Sequence, residues 1–513
     1  MTAARMISRC VIGTTLAAAT LLCDAARARA ADRPNVVLIM ADDLGFGDVG
    51  FNGHPVVKTP ALDQMAREGI RLGRFYAGAP VCTPTRASVM TGRNGFRSGT
   101  HWASSAQLPD EEITIAELLR AAGYRTGLFG KWHLGKLTPD GAEVFRTQKP
   151  KPTEFMPPWK QGFDVCFTAE FSVPTYNPLV WDFEWLEVPD GKDKPYVMNR
   201  PLAYGEGTIT GKPMVRWPLD FWHEGGRKST KEIAGDSSAL VTDEALKFIA
   251  GAAEAKQPFF AVVWLFTPHS PTAAGAEDRA KYANLDIEQQ HWFGSITAMD
   301  AQIGRVRDEL ARLGVAQNTL VHFCSDNGPS WIHDRGSAGP FRGRKGELYE
   351  GGIRVPAVVE WPARLKGQRV IDTPMSTDDL LPTIAAITGA EAPNDRPLDG
   401  ENVLPILQAK TTARSAPLYF HSLLRKNPLE WEAGEAKQSA VTDGRWKLIS
   451  VDNHKTFELY DLDQDAGEKT NLAAKDPARV ERMKSLLETR ITSFAASGKG
   501  QDYGPTNTKV VSP

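Results

Sequence analysis

The sequence predicts an α/β protein: a large mixed, mainly parallel sheet flanked by helices, then a smaller C-terminal α+β unit with an antiparallel sheet and a helix. Three observations carry that expectation. Continuous apolar, β-branched runs such as Asn35 to Met40 read as strands buried on both faces. Stretches with helix-capping signals stand between them. Past a break rich in Pro, Asp and Ala at 391–414, the pattern changes to hairpin-like alternation. The length of 513 residues agrees, being more than one small core needs.

Residues 1–30 form a targeting segment. Arg5 and Arg9 make a basic start, Val11 to Leu22 is apolar but too short for a stable membrane span, and Ala28-Arg29-Ala30 fits a cleavage site. Leu21-Leu22-Cys23 is a weak match to a lipoprotein signal, and the bulky Leu22 argues for soluble export, periplasmic or extracellular. The catalytic-size α/β domain is expected over 33–410, with an aperiodic insertion rich in Pro, Gly and Trp at 140–235. A C-terminal subdomain follows over 411–500, with a frayed tail at 501–513.

Within the large domain, Thr59-Pro60 opens a helix that Gly69 closes. Glu111 to Ala122 is predicted helical, followed by a short strand, Arg125 to Phe129. Asp236 to Ala250 is helical, Phe259 to Phe266 a strand, and Asp286 to Leu313 a long helix with one buried stripe. Thr319 to Cys324 and Val355 to Trp361 are strands, and Asp378 to Thr388 is a helix. Ser439 to Val451 and Lys455 to Asp461 alternate as hairpin strands, and Pro477 to Phe494 is a terminal helix.

Charge excludes one partner class. Lys+Arg is 60 against Asp+Glu 62, so nothing points to nucleic acid. Export removes two of the five cysteines and leaves Cys82, Cys166 and Cys324. That is no disulfide framework, and whether Cys166 and Cys324 pair is open.

Four predicted strands deliver polar residues at or just past their C-terminal ends: Asp42-Asp43, Lys131 with His133, His269, and Asp326-Asn327. Ligands of open parallel sheets bind at that edge, so these groups converge on one rim. Asp42, Asp43, Asp326 and Asn327 are hard oxygen donors, suited to Ca²⁺ or Mg²⁺ rather than Zn²⁺. Arg86, Lys131, His133, His269 and Lys345 are donors for a tetrahedral anion. Taken singly, each has a duller explanation: turn capping, a core histidine, or a solvated charge in Arg342-Gly343-Arg344-Lys345-Gly346. Taken together they do not.

The remaining stretch is Val81-Cys82-Thr83-Pro84-Thr85-Arg86, continued to Thr91-Gly92-Arg93. Pro84 suits a first helical turn, which sets Cys82 at a helix N-terminus and Arg86 one turn on along the same face. This stretch resembles the signature of the sulfatase family, with Thr85 where common members carry Ser. Segments around Asn35–Gly45, Gly130–Gly135, Thr267–Pro271, Ser325–Gly328, Lys345–Pro356, Gly444–Leu448 and Glu458–Leu462 resemble the family in order.

That resemblance implies an alkaline-phosphatase-like domain and a formylglycine made from Cys82 by a maturation enzyme. It implies Ca²⁺ (Mg²⁺ as the alternative) held by Asp42, Asp43, Asp326 and Asn327, with residue 82 beside it. One hydroxyl of the hydrated aldehyde would attack sulfur and displace the alcohol, to which His269 or Lys345 gives a proton. His133 would take the second hydroxyl's proton as sulfate leaves and the aldehyde returns, with Arg86 and Lys131 stabilising charge. The expected function is exported sulfatase (aryl or carbohydrate sulfate as substrate). The alternatives are a phosphodiester or phosphonate monoester hydrolase using the same site, and a non-catalytic binder of sulfated glycans. Trp181, Trp185, Trp217 and Trp222 are candidates for an aromatic substrate rim, or for packing alone.

Overall fold

Strand β1, Asn35–Asp42, is buried along its whole length, because strands lie on both sides of it and helices cover both faces. The computed structural model describes residues 33–503 except 104–106, 140–154, 179, 182–214, 217–218, 331–334 and 426–432. After β1 come α1 (Pro60–Glu68), β2 (Ile70–Leu72), α2 (Cys82–Thr91) and α3 (Ile115–Ala121). Then follow β3 (Arg125–Lys131), β4 (Val165–Ala169), β5 (Trp222–His223), β6 (Arg227–Lys228), α4 (Ser237–Glu254) and β7 (Phe259–Pro268). The large domain continues with α5 (Ile287–Arg312), β8 (Thr319–Ser325), β9 (Ala357–Glu360), β10 (Arg369–Ile371) and α6 (Leu380–Thr388).

These strands form one ten-stranded sheet in the order β10-β2-β9-β8-β1-β7-β3-β4-β5-β6. The five central strands, β8 to β4, are mutually parallel, while β9 and β5 join them antiparallel. The expected mixed, mainly parallel sheet is therefore present. Alternation along β1 divides the core: Val36, Leu38 and Met40 face α2, α3 and α6, whereas Val37, Ile39 and Ala41 face α1, α4 and α5. Each Val, Leu, Ile or Met side chain among them contributes about 1.5–3 kcal/mol when removed from water.

Several sequence expectations shift. The helix expected from Glu111 begins only at Ile115, because Thr114 caps it: its hydroxyl accepts from Glu117 N–H and the Glu117 carboxylate accepts in return. Within the stretch expected to be loops, Val165–Ala169 is a central parallel strand. Its run is too short to announce itself, and burial on both faces comes from its neighbours. Cys166 and Cys324 are free thiols on β4 and β8, four strand spacings apart, about 19 Å. A disulfide between them is excluded by its reach of about 7 Å between Cα atoms.

The smaller sheet contains β11 (Leu418–Arg425), β12 (Ala433–Asp443), β13 (Trp446–Ser450) and β14 (Glu458–Asp461), in that antiparallel order. The sequence pattern ran β12 and β13 together, since both alternate; the turn at Gly444-Arg445 divides them. Helix α7 (Pro477–Ser497) packs Met483 and Leu487 on one face of this sheet. Beyond it, Asp502 accepts from Arg93 at 2.8 Å and the Tyr503 hydroxyl bonds Glu112 at 2.8 Å, so the tail is tied down at least that far. The targeting segment and residues 504–513 lie outside the described residues. No helix among the described residues is long and apolar enough to cross a membrane.

Candidate active site

Helix α2 is buried on every side, and Cys82 is its first residue. No side chain caps it, so its first turn presents the dipole's positive end to whatever lies at Cys82. Thr85 holds the approach: its hydroxyl donates to the Ala79 and Val81 carbonyls at 2.9 and 3.1 Å. Arg86 lies one turn on, fully buried, with its guanidinium 4.9 Å from the Trp264 ring centroid.

Parallel strands bring the other groups to the same edge. Asp42 ends β1, Lys131 ends β3, His269 follows β7, and Asp326-Asn327 follows β8. Lys131 Nζ donates to Asp42 Oδ2 at 2.7 Å, and Arg86 donates to Asp326 Oδ2 at 2.7 Å and lies 3.7 Å from Asp42 Oδ1. Lys345 donates to Asp43, as does the Asn327 amide at 2.8 Å. His269 Nε2 lies 3.7 Å from Asp43 Oδ2, while its Nδ1 donates to the Ser270 carbonyl at 2.6 Å. Ligand atoms of Asp42, Cys82 and Asp326 lie within 4.8 Å of one another, as do those of Asp42, Asp43 and His269. His133, at φ 58°, is buried beside Phe171. All ten residues singled out in the sequence are thus at one buried rim.

Electrostatics at the rim are strained. Burial pushes carboxyl pKa values up, yet Lys131, His269, Arg86 and Lys345 hold Asp42 well below the usual range. Asp326 goes the other way, raised by burial and by the Asp42 charge. Burial raises the Cys82 thiol, only partly offset by Lys131 and Lys345. Burial brings His269 down to about 4 and, with Lys131 and Arg86, puts His133 well below its ordinary value. Both rings are neutral at pH 7.

The donors fit a hard cation. Asp42 Oδ1 and Asn327 Oδ1 are buried and accept no hydrogen bond among the described residues. A buried acceptor without a donor is costly, and a cation relieves it. Sequence reasoning missed Ser172, whose hydroxyl donates to Asp42 Oδ2 at 3.1 Å, because no motif marks it in an aperiodic stretch. It also missed Ser325, which accepts from Leu44 N–H and donates to the Asn327 carbonyl, fixing the turn that aims Asn327. Of the four tryptophans, Trp222 is partly buried against the sheet core, so it packs. Trp185, Trp217 and the side chain of Trp181 lie outside the described residues.

Comparison with known proteins agrees with this geometry. The Sulfatase family profile matches residues 34–390, and one described as "N-sulphoglucosamine sulphohydrolase, C-terminal" matches 339–496. Steryl-sulfatase of Mus musculus is 34% identical over 453 residues, covering 80% of this chain and 71% of its own. Human arylsulfatase A is 32% identical over 511 residues, covering 94% and 92%. Among solved structures, Ps i-CgsB in complex with k-i-k-neocarrahexaose superposes with a TM-score of 0.73 at 26% identity, covering 92% of this chain and 98% of that one. With its alkaline-phosphatase-like sheet, its rim of acidic and basic groups and these relatives, the chain belongs to the sulfatase family of sulfuric ester hydrolases.

Proposed function

We propose that this chain is an exported sulfatase that hydrolyses an aryl or carbohydrate sulfate ester to an alcohol and inorganic sulfate. Residue 82 would act as formylglycine, and Asp42, Asp43, Asp326 and Asn327 would hold calcium, or magnesium in its place. One observation carries this reading: the Cys82 sulfur lies buried within 4.8 Å of carboxylate oxygens of both Asp42 and Asp326. A thiol there is a poor nucleophile as it stands, since burial keeps it protonated. The modified residue supplies instead an aldehyde hydrate whose hydroxyl needs no thiolate. The bound cation would polarise sulfate oxygens as a Lewis acid.

The chain's own groups supply the rest. Arg86 and Lys131 are locked by Asp326 and Asp42, so their charge is oriented before substrate arrives. His133, held neutral, is ready to accept a proton. His269 presents Nε2 toward the rim because Nδ1 is committed to the Ser270 carbonyl. An anionic ester docked beside it favours the protonated ring, which then gives its proton to the leaving oxygen. Lys345 adds a second cation on the leaving-group side.

Co-expression with a formylglycine-generating maturation enzyme tests this. The peptide containing residue 82 should carry the mass of formylglycine, and aryl sulfate should be hydrolysed. Activity from wholly unmodified Cys82 would sink the proposal. Faster turnover of phosphate diesters or phosphonate monoesters than of sulfates would move the substrate assignment to that class.

A further inference from the structure

Lys345 reaches the rim from a loop, not from a strand end, and that loop is held from three directions. Lys345 N–H donates to the Pro329 carbonyl at 3.1 Å, two residues past Asn327. Gly346 N–H donates to the Pro80 carbonyl at 2.8 Å, two residues before Cys82. The third hold comes from the C-terminal sheet. Gln438, on β12 and fully buried, accepts from Leu348 N–H at 2.8 Å and donates to the Gly346 carbonyl at 2.7 Å. It also donates to the Leu423 carbonyl at 3.1 Å on the adjacent strand.

One amide therefore holds the first and third residues after Lys345. Gly346 sits at φ 91°, a conformation open to glycine, so its peptide planes are set by these bonds and not by side-chain packing. Leu423, tied to the same amide, packs against Val81, Cys82 and Trp102. Gln438 thus touches the Lys345 loop directly and reaches the start of α2 only through Leu423.

The geometry points to Gln438 as a positioning residue for the sulfatase reaction: it fixes Lys345 at the rim by clamping Gly346 and Leu348. This rests on the proposed function of Lys345. It makes the C-terminal sheet a part of the catalytic apparatus rather than an appendage.

The test uses full-length protein in two variants. Gln438→Met removes all three hydrogen bonds at similar volume. Gln438→Glu keeps the acceptor for Leu348 but sets a carboxylate against the Gly346 carbonyl. Each folded variant should lose about 10–100-fold in kcat/KM on an aryl sulfate, the usual effect of a misplacement near 1 Å. In a Lys345→Ala background the same changes should cost no more than about twofold, because the partner they act through is gone. Hydrogen exchange at Leu348 N–H should quicken in Gln438→Met, which loses its acceptor, and much less in Gln438→Glu, which keeps it.

Folded variants with wild-type kcat/KM overturn the inference. So does an equal loss in the Lys345→Ala background, or unchanged exchange at Leu348 in Gln438→Met. If neither variant folds, Gln438 is structural and the inference falls. Should the wild-type protein turn over no sulfate ester, the functional proposal fails by itself, and exchange at Leu348 still decides whether the clamp exists.

Discussion

Two buried charge clusters in this molecule look alike in composition and differ in how they are closed. At the candidate rim, Asp42, Asp43 and Asp326 face Arg86, Lys131 and Lys345. At the interface with the C-terminal sheet, Lys447 lies 3.0 Å from Glu350 and 2.9 Å from Glu468, while the Tyr76 hydroxyl donates to Glu350 at 2.9 Å. Burial raises Glu350, but Lys447 and Arg354 bring it below its ordinary value, while burial and the Glu350 charge raise Glu468 to about 7, the same split as between Asp42 and Asp326. The interface gathers its carboxylates around one ammonium. Among the described residues, Asp42 Oδ1 and Asn327 Oδ1 at the rim accept no hydrogen bond, with Arg86 3.7 Å from the former; at the interface Glu468 Oε1 accepts none either, but has Lys447 Nζ 2.9 Å away. The two differ in reach: Glu468 Oε1 has an ammonium beside it, whereas the rim's two orphaned oxygens have no cation that close among the described residues, which suits a site that takes up a cation.

That contrast can be broken by mutation, the largest effect first. Cys82→Ala should lower kcat on an aryl sulfate by on the order of 10⁴-fold or more, as loss of a nucleophile does, with little change in the unfolding midpoint. A wild-type rate in this variant would end the assignment of the rim as the reacting centre. Lys447→Met should act on the other quantity. It takes the ammonium from buried Glu468 and leaves Glu350 with Arg354 and the Tyr76 hydroxyl, and should cost about 3–5 kcal/mol, read by denaturant unfolding. A neutral outcome would mean that the interface pairs are no stronger than well-packed apolar groups.

Metal removal sharpens the comparison further. Calcium at about 100 times its Kd should stabilise the chelator-treated protein by about 2.7 kcal/mol, and Asp326→Asn should reduce that gain. Lys447→Met should keep it. Equal responses in the two variants would show that the rim does not hold the ion.

The smallest effect concerns a third carboxylate cluster, remote from catalysis. Asp378 is raised to about 8 by burial and by the neighbouring Asp399 and Asp379 charges. Its folded value exceeds the unfolded one, so the folded state binds the extra proton and stability falls as pH climbs from about 4 through about 8. Asp378→Asn should remove roughly 1–3 kcal/mol of that decline. Parallel curves for wild type and variant would show that Asp378 titrates normally.

Much of this was legible beforehand, for particular reasons. The runs Asn35 to Met40 and Phe259 to Phe266 had to be central strands, because only burial on both faces tolerates unbroken apolar sequence. Once those strands are parallel, Asp42, Lys131, His269 and Asp326 must share an edge. The strand Val165–Ala169 was not legible, since five residues with one cysteine and one threonine carry no periodic signal of their own.

Sequence by itself therefore determined most of the long buried strands and the identity of the rim residues. Hydrophobic runs and capping signals are local, and a chain writes them down directly. Tertiary structure alone decided which oxygens are left without donors, that Cys166 and Cys324 stand too far apart to join, and that Gln438 grips the Lys345 loop from the other sheet. Those are distances between segments far apart along the chain, and no local pattern encodes a distance.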